Sequence, residues 1–308
     1  MATLRKPSRR HLISGFMNTR QTDPSSSGDK SAGSELPVNP NPYIPPIETG
    51  PRRQVMSLKL TDPLRWLALG WRDLRAEPAI GLFYGLSFWV MALVLGFVFR
   101  SSPEYTMSLA SGCLLLGPFL AMGLYDVSRR RQSGKSPNLA SSLTCWDTHV
   151  RSMGLFVLVL IVLELLWGRA SLVVFAVFFN TGMPSTTNVL QAVFNPDNLE
   201  FLLTYLVVGG VFAALVFACS VVSIPMILDR DTDAITAVIA SLQVFFENLG
   251  VMLLWGAIIS VLVVSAMIFW GVGLVLVGPW LGYSSWHAYR GSIRWMDEAA
   301  GELLKSSD

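Results

Sequence analysis

Long stretches without charged residues restrict the fold of this chain more than any other feature. No Asp, Glu, Lys or Arg occurs in residues 250–289 or in residues 201–228. A helix needs about 20 mostly apolar residues to cross the hydrocarbon core of a bilayer. Charged residues make up only 14% of the chain, against roughly 25% in soluble domains. The sequence therefore predicts an all-α, polytopic membrane helix bundle.

The apolar stretches predict about six transmembrane helices. The first four lie at residues 78–99, 105–125, 153–179 and 201–228. Residues 250–289 are too long for one crossing, so we expect two helices there that turn near Trp270, Gly271 and Gly273.

Lys and Arg gather in alternate connections between these helices. They are frequent in residues 1–75, whereas residues 180–200 hold none and the first loop holds only Arg100. The other basic positions are Arg129, Arg130, Arg131, Lys135 and Arg151 in the second loop, and Arg290, Arg294 and Lys305 near the C-terminus. Because basic loops stay in the cytoplasm, we expect a multi-pass protein of a bacterial inner membrane with both termini cytoplasmic. A mitochondrial transit peptide is the alternative interpretation of the basic N-terminus.

The regions outside the crossings divide the chain into three parts. Residues 1–60 are rich in Ser, Gly, Asn and Pro and bury too little apolar surface to fold, which predicts a disordered cytoplasmic tail. Residues 61–292 are predicted to form the transmembrane domain, and residues 293–308 a cytoplasmic C-terminal tail. Within the domain, residues 61–77 predict an amphipathic helix capped by Asp62 and lying in the headgroup plane. Its apolar side is predicted to consist of Leu64, Leu67, Trp71 and Leu74. A simple extension of the first crossing is the alternative.

Two stretches of the chain resemble each other, LGPFLAMGLYDVSRR and VGPWLGYSSWHAYRG. Gly117-Pro118 in the first matches Gly278-Pro279 in the second, and an Asp begins an amphipathic helix upstream of each. Both units would enter the membrane from the same side, which predicts a parallel internal repeat. Chance similarity between apolar helices is the alternative.

The repeat also predicts a pair of side chains. Asp126 and His287 each lie nine residues beyond the matched glycine. If the two units pack about a common axis, these side chains meet at the cytoplasmic boundary and attract each other. Two separate, solvated helix ends are the alternative.

The small residues and prolines of the crossings are predicted to serve packing. Pro118 and Pro279 remove a backbone donor and kink their helices. Gly81 and Gly85, one helical turn apart, permit close approach of a neighbouring helix. The same holds for Gly278 and its neighbour at position 282.

The motifs LGPFLAMGLYDVSRRRQSGKSP, LDRDTDAITAVIAS and VGPWLGYSSWHAYR together resemble an uncharacterised family of bacterial integral membrane proteins. The likeness covers roughly residues 60–292. Members of that family are sometimes labelled as cytochrome c oxidases, but a haem-copper core needs several intramembrane histidines. This chain has three histidines in all, at positions 11, 149 and 287. We therefore expect no cofactor and no metal.

Few residues remain that could carry chemistry. Glu164 lies near the middle of the third crossing, where an ionisable group is costly, and Arg169 follows five residues later. Glu164 is either part of a proton or substrate site or a protonated side chain that is hydrogen-bonded in the bundle. The acidic run at 229–233 predicts capping of the next helix more simply than a metal site. Arg129, Arg130 and Arg131 predict contact with anionic lipid headgroups rather than nucleic acid.

No phosphate loop, nucleophile elbow, zinc motif or dinucleotide fingerprint occurs in the sequence. The expected function is that of a non-enzymatic scaffold, assembly factor or lipid-interacting component. Membrane lipids, another inner-membrane complex or a second copy are the expected partners. A small transporter or channel with a midplane site near Glu164 is the alternative, and an intramembrane enzyme comes third.

Overall fold

Helices account for nearly all of the described structure, as the apolar stretches predict. The computed structural model describes residues 53–101, 105–178, 199–268 and 270–296. In chain order the helices are α1 (Asp62–Ala76), α2 (Pro78–Ser101), α3 (Thr106–Gln132), α4 (Leu139–Leu143), α5 (Val150–Phe178), α6 (Leu199–Ser220), α7 (Ser223–Arg230), α8 (Ala234–Glu247), α9 (Leu249–Met267) and α10 (Leu274–Ser292). Two short strands, β1 (Arg53–Val55) and β2 (Ile293–Trp295), pair antiparallel with Gln54 opposite Arg294.

In the described part of the chain, four helical stretches are long and apolar enough to cross a membrane. They are Pro78–Ser101, Leu139–Phe178, Leu199–Arg230 and Leu249–Met267. Helices α3 and α10 lie where the second and sixth crossings were predicted but are not among these four stretches. The prediction of a polytopic membrane helix bundle is confirmed, while the count of six stays a prediction.

The turn between α9 and α10 lies at the predicted position. Helix α9 ends at Met267, and α10 begins at Leu274. Trp270 and Gly271 both have positive φ, at 55° and 70°. Such a conformation is uncommon outside glycine, and here the indole N–H of Trp89 donates to the Trp270 carbonyl at 3.1 Å.

A short strand pair lies within the two predicted tails, residues 1–60 and 293–308. Strand β1 is hydrogen-bonded to β2, and Trp295 is almost completely buried. The following segment is also tied to the bundle, because the Leu58 amide donates to Asn248 Oδ1 at 2.8 Å. Residues 1–52 and 297–308 lie outside the described residues, so the predictions for them stay predictions.

Helix α1 is amphipathic as predicted, but its buried stripe is shifted by one position. Trp66, Gly70, Asp73 and Leu74 are buried, whereas Leu64 is 64% exposed. The predicted cap is wrong in detail. Thr61 occupies the cap position without a side-chain hydrogen bond, and Asp62 Oδ2 accepts from the Lys59 amide at 2.8 Å.

The order of helices agrees with the predicted repeat. An amphipathic helix, an apolar helix and a helix with an internal proline follow one another as α1–α2–α3 and again as α8–α9–α10. The two units pack differently, however. A Cβ on Gly278 would lie 2.8 Å from the Phe88 ring, whereas one on Gly117 would meet no atom within 4 Å among the described residues. The packing role predicted for Gly117 stays a prediction.

Two glycines of α2 are sites of close packing, Gly85 against α10 and Gly81 against α1. A Cβ on Gly85 would overlap the carbonyl oxygen of Val275 and lie 2.7 Å from its carbonyl carbon. One on Gly81 would meet the Leu74 side chain at 2.5 Å. The same close packing occurs at Gly70, where a Cβ would lie 2.7 Å from the Ser284 amide nitrogen.

Buried and exposed residues are distributed as in a membrane protein. Large aromatic side chains are buried together, including Trp66 and Trp255, whose rings pack edge to face at 5.6 Å. Apolar side chains are instead exposed along the long apolar helices, for example Phe97, Leu165, Val207 and Val261. Charged and polar groups are buried where the ends of α1, α3 and α10 meet. That meeting point is the most unusual feature of the fold.

Candidate functional site

The ends of α1, α3 and α10 bring together a buried polar cluster, Asp73, Ser128, Arg131, Gln132 and His287. Helix α1 reaches α10 because Gly70 allows its backbone to pack directly against Ser284. Asp73, one turn further along α1, is then buried against α3 and α10 with 3% of its surface exposed. A carboxylate in such a place needs partners, since an unpaired buried charge is very costly.

Three donors satisfy the Asp73 carboxylate. The His287 ring donates from Nε2 to Oδ2 at 2.9 Å, and the Ser128 hydroxyl donates to the same oxygen at 2.7 Å. Arg131 Nε donates to Oδ1 at 3.1 Å, and its Nη1 lies 3.6 Å from Glu77 Oε1. The cluster therefore joins α1, α3 and α10 through one carboxylate.

The hydrogen bonds fix the orientation of the His287 ring. The Trp286 indole N–H can only donate, and it does so to Gln132 Oε1 at 2.9 Å. This turns the Gln132 amide nitrogen toward His287 Nδ1 at 3.2 Å, so Nδ1 is the acceptor. The proton of the neutral ring then lies on Nε2, where it is donated to Asp73.

The polar partners of Asp73 change its pKa more than its burial does. Burial raises the pKa of this carboxyl, but its interactions with His287, Ser128 and Arg131 together lower the pKa further than burial raises it. The pKa of Asp73 therefore lies below its ordinary value of 3.8. The folded protein holds the charged form of this group.

The predicted pair of Asp126 and His287 is wrong, because each side chain has other partners. Asp126 is fully buried and accepts from Arg129 and Arg130, each at 2.6 Å. Those arginines lie three and four residues further along the same helix, and side chains at these spacings are neighbours on a helix surface. They reach the carboxylate whichever helices pack nearby. Asp73 takes the place at His287 that the prediction gave to Asp126.

The basic cluster Arg129–Arg131 is turned toward protein groups. Besides Asp126, Arg129 donates to the Leu228 carbonyl at 2.6 Å, which ties α3 to α7. Arg131 belongs to the Asp73 cluster. These side chains keep about a third of their surface exposed at most, so the predicted contact with lipid headgroups stays a prediction.

The acidic run at 229–233 serves two purposes. Asp233 caps α8 by accepting from the Thr236 amide at 2.9 Å, as predicted. Asp229 accepts from the Tyr289 hydroxyl at 2.8 Å, and that hydroxyl accepts from the Trp295 indole at 3.0 Å. In the part of the chain that the structure describes, no three His, Cys, Asp or Glu side chains are grouped as a metal site requires.

Glu164 and Arg169 are not part of the buried cluster. Glu164 is half-buried and faces a groove of about 490 Å³ between α5 and α6. Trp167, Phe212 and Ser220 also line the groove. Arg169 is exposed on α5. The structure thus separates the candidate residues into a closed polar cluster and an open apolar groove.

The Asp73 cluster has the residue types of a nucleophilic triad but not its arrangement. In a triad the histidine accepts a proton from the nucleophile and the carboxylate orients the histidine. Here Ser128 donates to the carboxylate instead, and the acceptor nitrogen of His287 is occupied by Gln132. The arrangement joins three helices and leaves no ring nitrogen to take a proton from Ser128.

Residues 106–229 match the model of a family described as a predicted integral membrane protein (DUF2189). This agrees with the family resemblance found in the sequence, and the matched family is described as integral membrane proteins of unknown function. The match contains the first of the three motifs, with Asp126, Ser128 and the Arg129–Arg131 cluster. Asp73 and His287 lie outside it. No curated protein and no solved structure matches the chain.

Proposed function

We propose that this integral membrane protein is a non-enzymatic scaffold, assembly or lipid-interacting component of a bacterial inner membrane. The observation that carries the proposal is the Asp73 cluster, in which each buried polar group is bonded to another protein group. Networks that are fully satisfied rigidify a fold and specify its packing. Such a cluster supports a structural role for this end of the bundle.

The proposed topology has six crossings and both termini in the cytoplasm. It is supported by the basic residues near the Asp73 cluster, which include Arg129, Arg130, Arg131, Arg230, Arg290 and Arg294. The α9–α10 turn carries no basic residue, and the nearby Arg100 stacks on Trp270 at 4.7 Å. Because basic segments stay cytoplasmic, the Asp73 cluster then lies at the cytoplasmic end.

A small transporter or channel is the second candidate function. The groove between α5 and α6 favours it, because Glu164 is an ionisable residue within an apolar helix and no ion pair to it exists among the described residues. Ionisable groups at such depth commonly mark ion or proton pathways. Under this alternative, Glu164 binds the transported species.

Native mass spectrometry of the protein purified in mild detergent tests the proposal. We expect a bound partner at defined stoichiometry, either a second copy, a subunit of another inner-membrane complex or an anionic lipid. The E164Q variant should retain that partner equally, because Glu164 lies away from the Asp73 cluster.

A flux measurement tests the transporter alternative. The same preparation is reconstituted into liposomes that contain a pH-sensitive dye. A proton flux that wild type supports and E164Q abolishes would contradict the scaffold and support the transporter. We expect both proteins to leak no more than empty liposomes.

A further inference from the structure

A cavity of about 610 Å³ lies beside the Asp73 cluster. Its walls come from the β1–α1 connection, from α1, and from the ends of α3 and α10. The described polar side chains on these walls are Ser57, Asp62, Arg65, Gln132, His287, Arg290 and Arg294. This volume is within the range of about 300–1,000 Å³ that is typical of small-ligand sites.

The charge on the walls is predominantly positive. Among the described residues, three guanidinium groups line the cavity, and Asp62 provides the one carboxylate that does so. Arg290 shares part of its charge with Asp229, since their closest atoms are 3.4 Å apart. Arg65 forms no ion pair with any carboxylate among the residues that the structure describes. Arg290 and Arg294 have other partners in the protein, so the positive charge available in the cavity is chiefly that of Arg65.

We propose that this cavity binds a phosphate group, carried either by an anionic phospholipid or by a small water-soluble phosphate. Guanidinium groups donate two parallel hydrogen bonds to phosphate oxygens, which makes arginine the preferred residue for such ligands. The inference rests on the proposed function, and it specifies the ligand that a lipid-interacting component would bind. It assigns the site to Arg65, Arg290 and Arg294 rather than to the Arg129–Arg131 cluster.

The surroundings of the cavity favour the lipid as the source of the phosphate. Leu60 and Leu64 are 65% and 64% exposed, in the segment that forms one wall. Exposed apolar side chains on an amphipathic helix that also carries arginines are typical of a helix in the headgroup plane. Acyl chains of a bound lipid could cover these leucines while its phosphate enters the cavity.

Calorimetric titration of the detergent-purified full chain tests the site. The probes are short-chain phosphatidylglycerol, its zwitterionic phosphatidylcholine analogue and inorganic phosphate. We expect wild type to bind phosphatidylglycerol more tightly than phosphatidylcholine. R65Q and R294Q should each bind it about tenfold more weakly, because each loses a charged hydrogen bond. Inorganic phosphate that competes with equal affinity would assign the site to a soluble phosphate, whereas weak competition assigns it to the lipid.

R72Q is the matched control, because Arg72 lies two turns along α1 on an exposed surface and does not line the cavity. The R72Q variant loses the same charge and should bind phosphatidylglycerol with the affinity of wild type. Equal affinity of R65Q, R294Q and wild type for phosphatidylglycerol would overturn the inference, as would an equal loss in R72Q or no binding of either anion. None of these outcomes depends on the flux measurement with E164Q, so the site and the proposed function can fail separately.

Discussion

Replacing Asp73 by Asn should lower the free energy of unfolding by about 3 kcal/mol, because the change breaks a buried charged network by removing one partner. The carboxylate accepts from His287 and Ser128 on one oxygen and from Arg131 on the other. An amide presents a donor on one side, so either Arg131 or the His287–Ser128 pair faces another donor. The midpoint of thermal unfolding in detergent, followed by tryptophan fluorescence, should fall by about 5 °C or more.

D147N is the control for this substitution. Asp147 is exposed in the short 3₁₀ turn before α5, so its replacement should change stability by less than about 0.5 kcal/mol. A double-mutant cycle of D73N with H287Q should be strongly non-additive, since the two side chains share one hydrogen bond. A D73N protein as stable as D147N would exclude a stabilising role for the cluster.

The same carboxylate links stability to pH. The pKa of Asp73 is lower in the folded protein than its ordinary value of 3.8, so the folded state favours the charged form. This contribution is complete above the ordinary value and is lost as the pH falls through the lower, folded value. The acid limb of a stability–pH curve should therefore be flatter in D73N than in wild type.

Replacing Gly85 by Ala should cost about 1–3 kcal/mol, because extra atoms in a packed interface force the backbones apart. The new Cβ would overlap the Val275 carbonyl oxygen, which belongs to α10 and cannot move by a rotamer change. G96A in the same helix is the matched control, since a Cβ at Gly96 meets no described atom within 4 Å. Helix propensity alone predicts a gain of about 0.5–1 kcal/mol for G96A. Thermal unfolding of the two variants should therefore shift in opposite directions.

The sequence predicted the features that depend on composition along one helix. The long stretches without charged residues predicted where the apolar helices lie. Residues 250–289 are too long for one crossing, and this predicted the turn at Trp270 and Gly271. The close approach at Gly85 follows from the spacing of small residues. These features need no knowledge of which helices are neighbours.

The features that the sequence analysis missed depend on tertiary neighbours. Asp73 is missed because the apolar side predicted for α1 runs through Leu64, Leu67 and Trp71, each one position after a buried residue. The spacing of Trp66, Gly70 and Asp73 at helical intervals was the signal that could have found it. The strand pair joins segments from opposite ends of the chain, and no local pattern marks strands of three residues.

Cysteine labelling in intact cells tests the central claim, six crossings with the Asp73 cluster at the cytoplasmic end. The three native cysteines, Cys113, Cys145 and Cys219, are first replaced by Ala. A membrane-impermeant maleimide should then label S185C from outside, but S133C and S307C only after permeabilisation. Ser133 ends α3 one residue beyond Gln132 of the cluster, so it reports directly on that end of the bundle. Labelling of S133C in intact cells would contradict the topology.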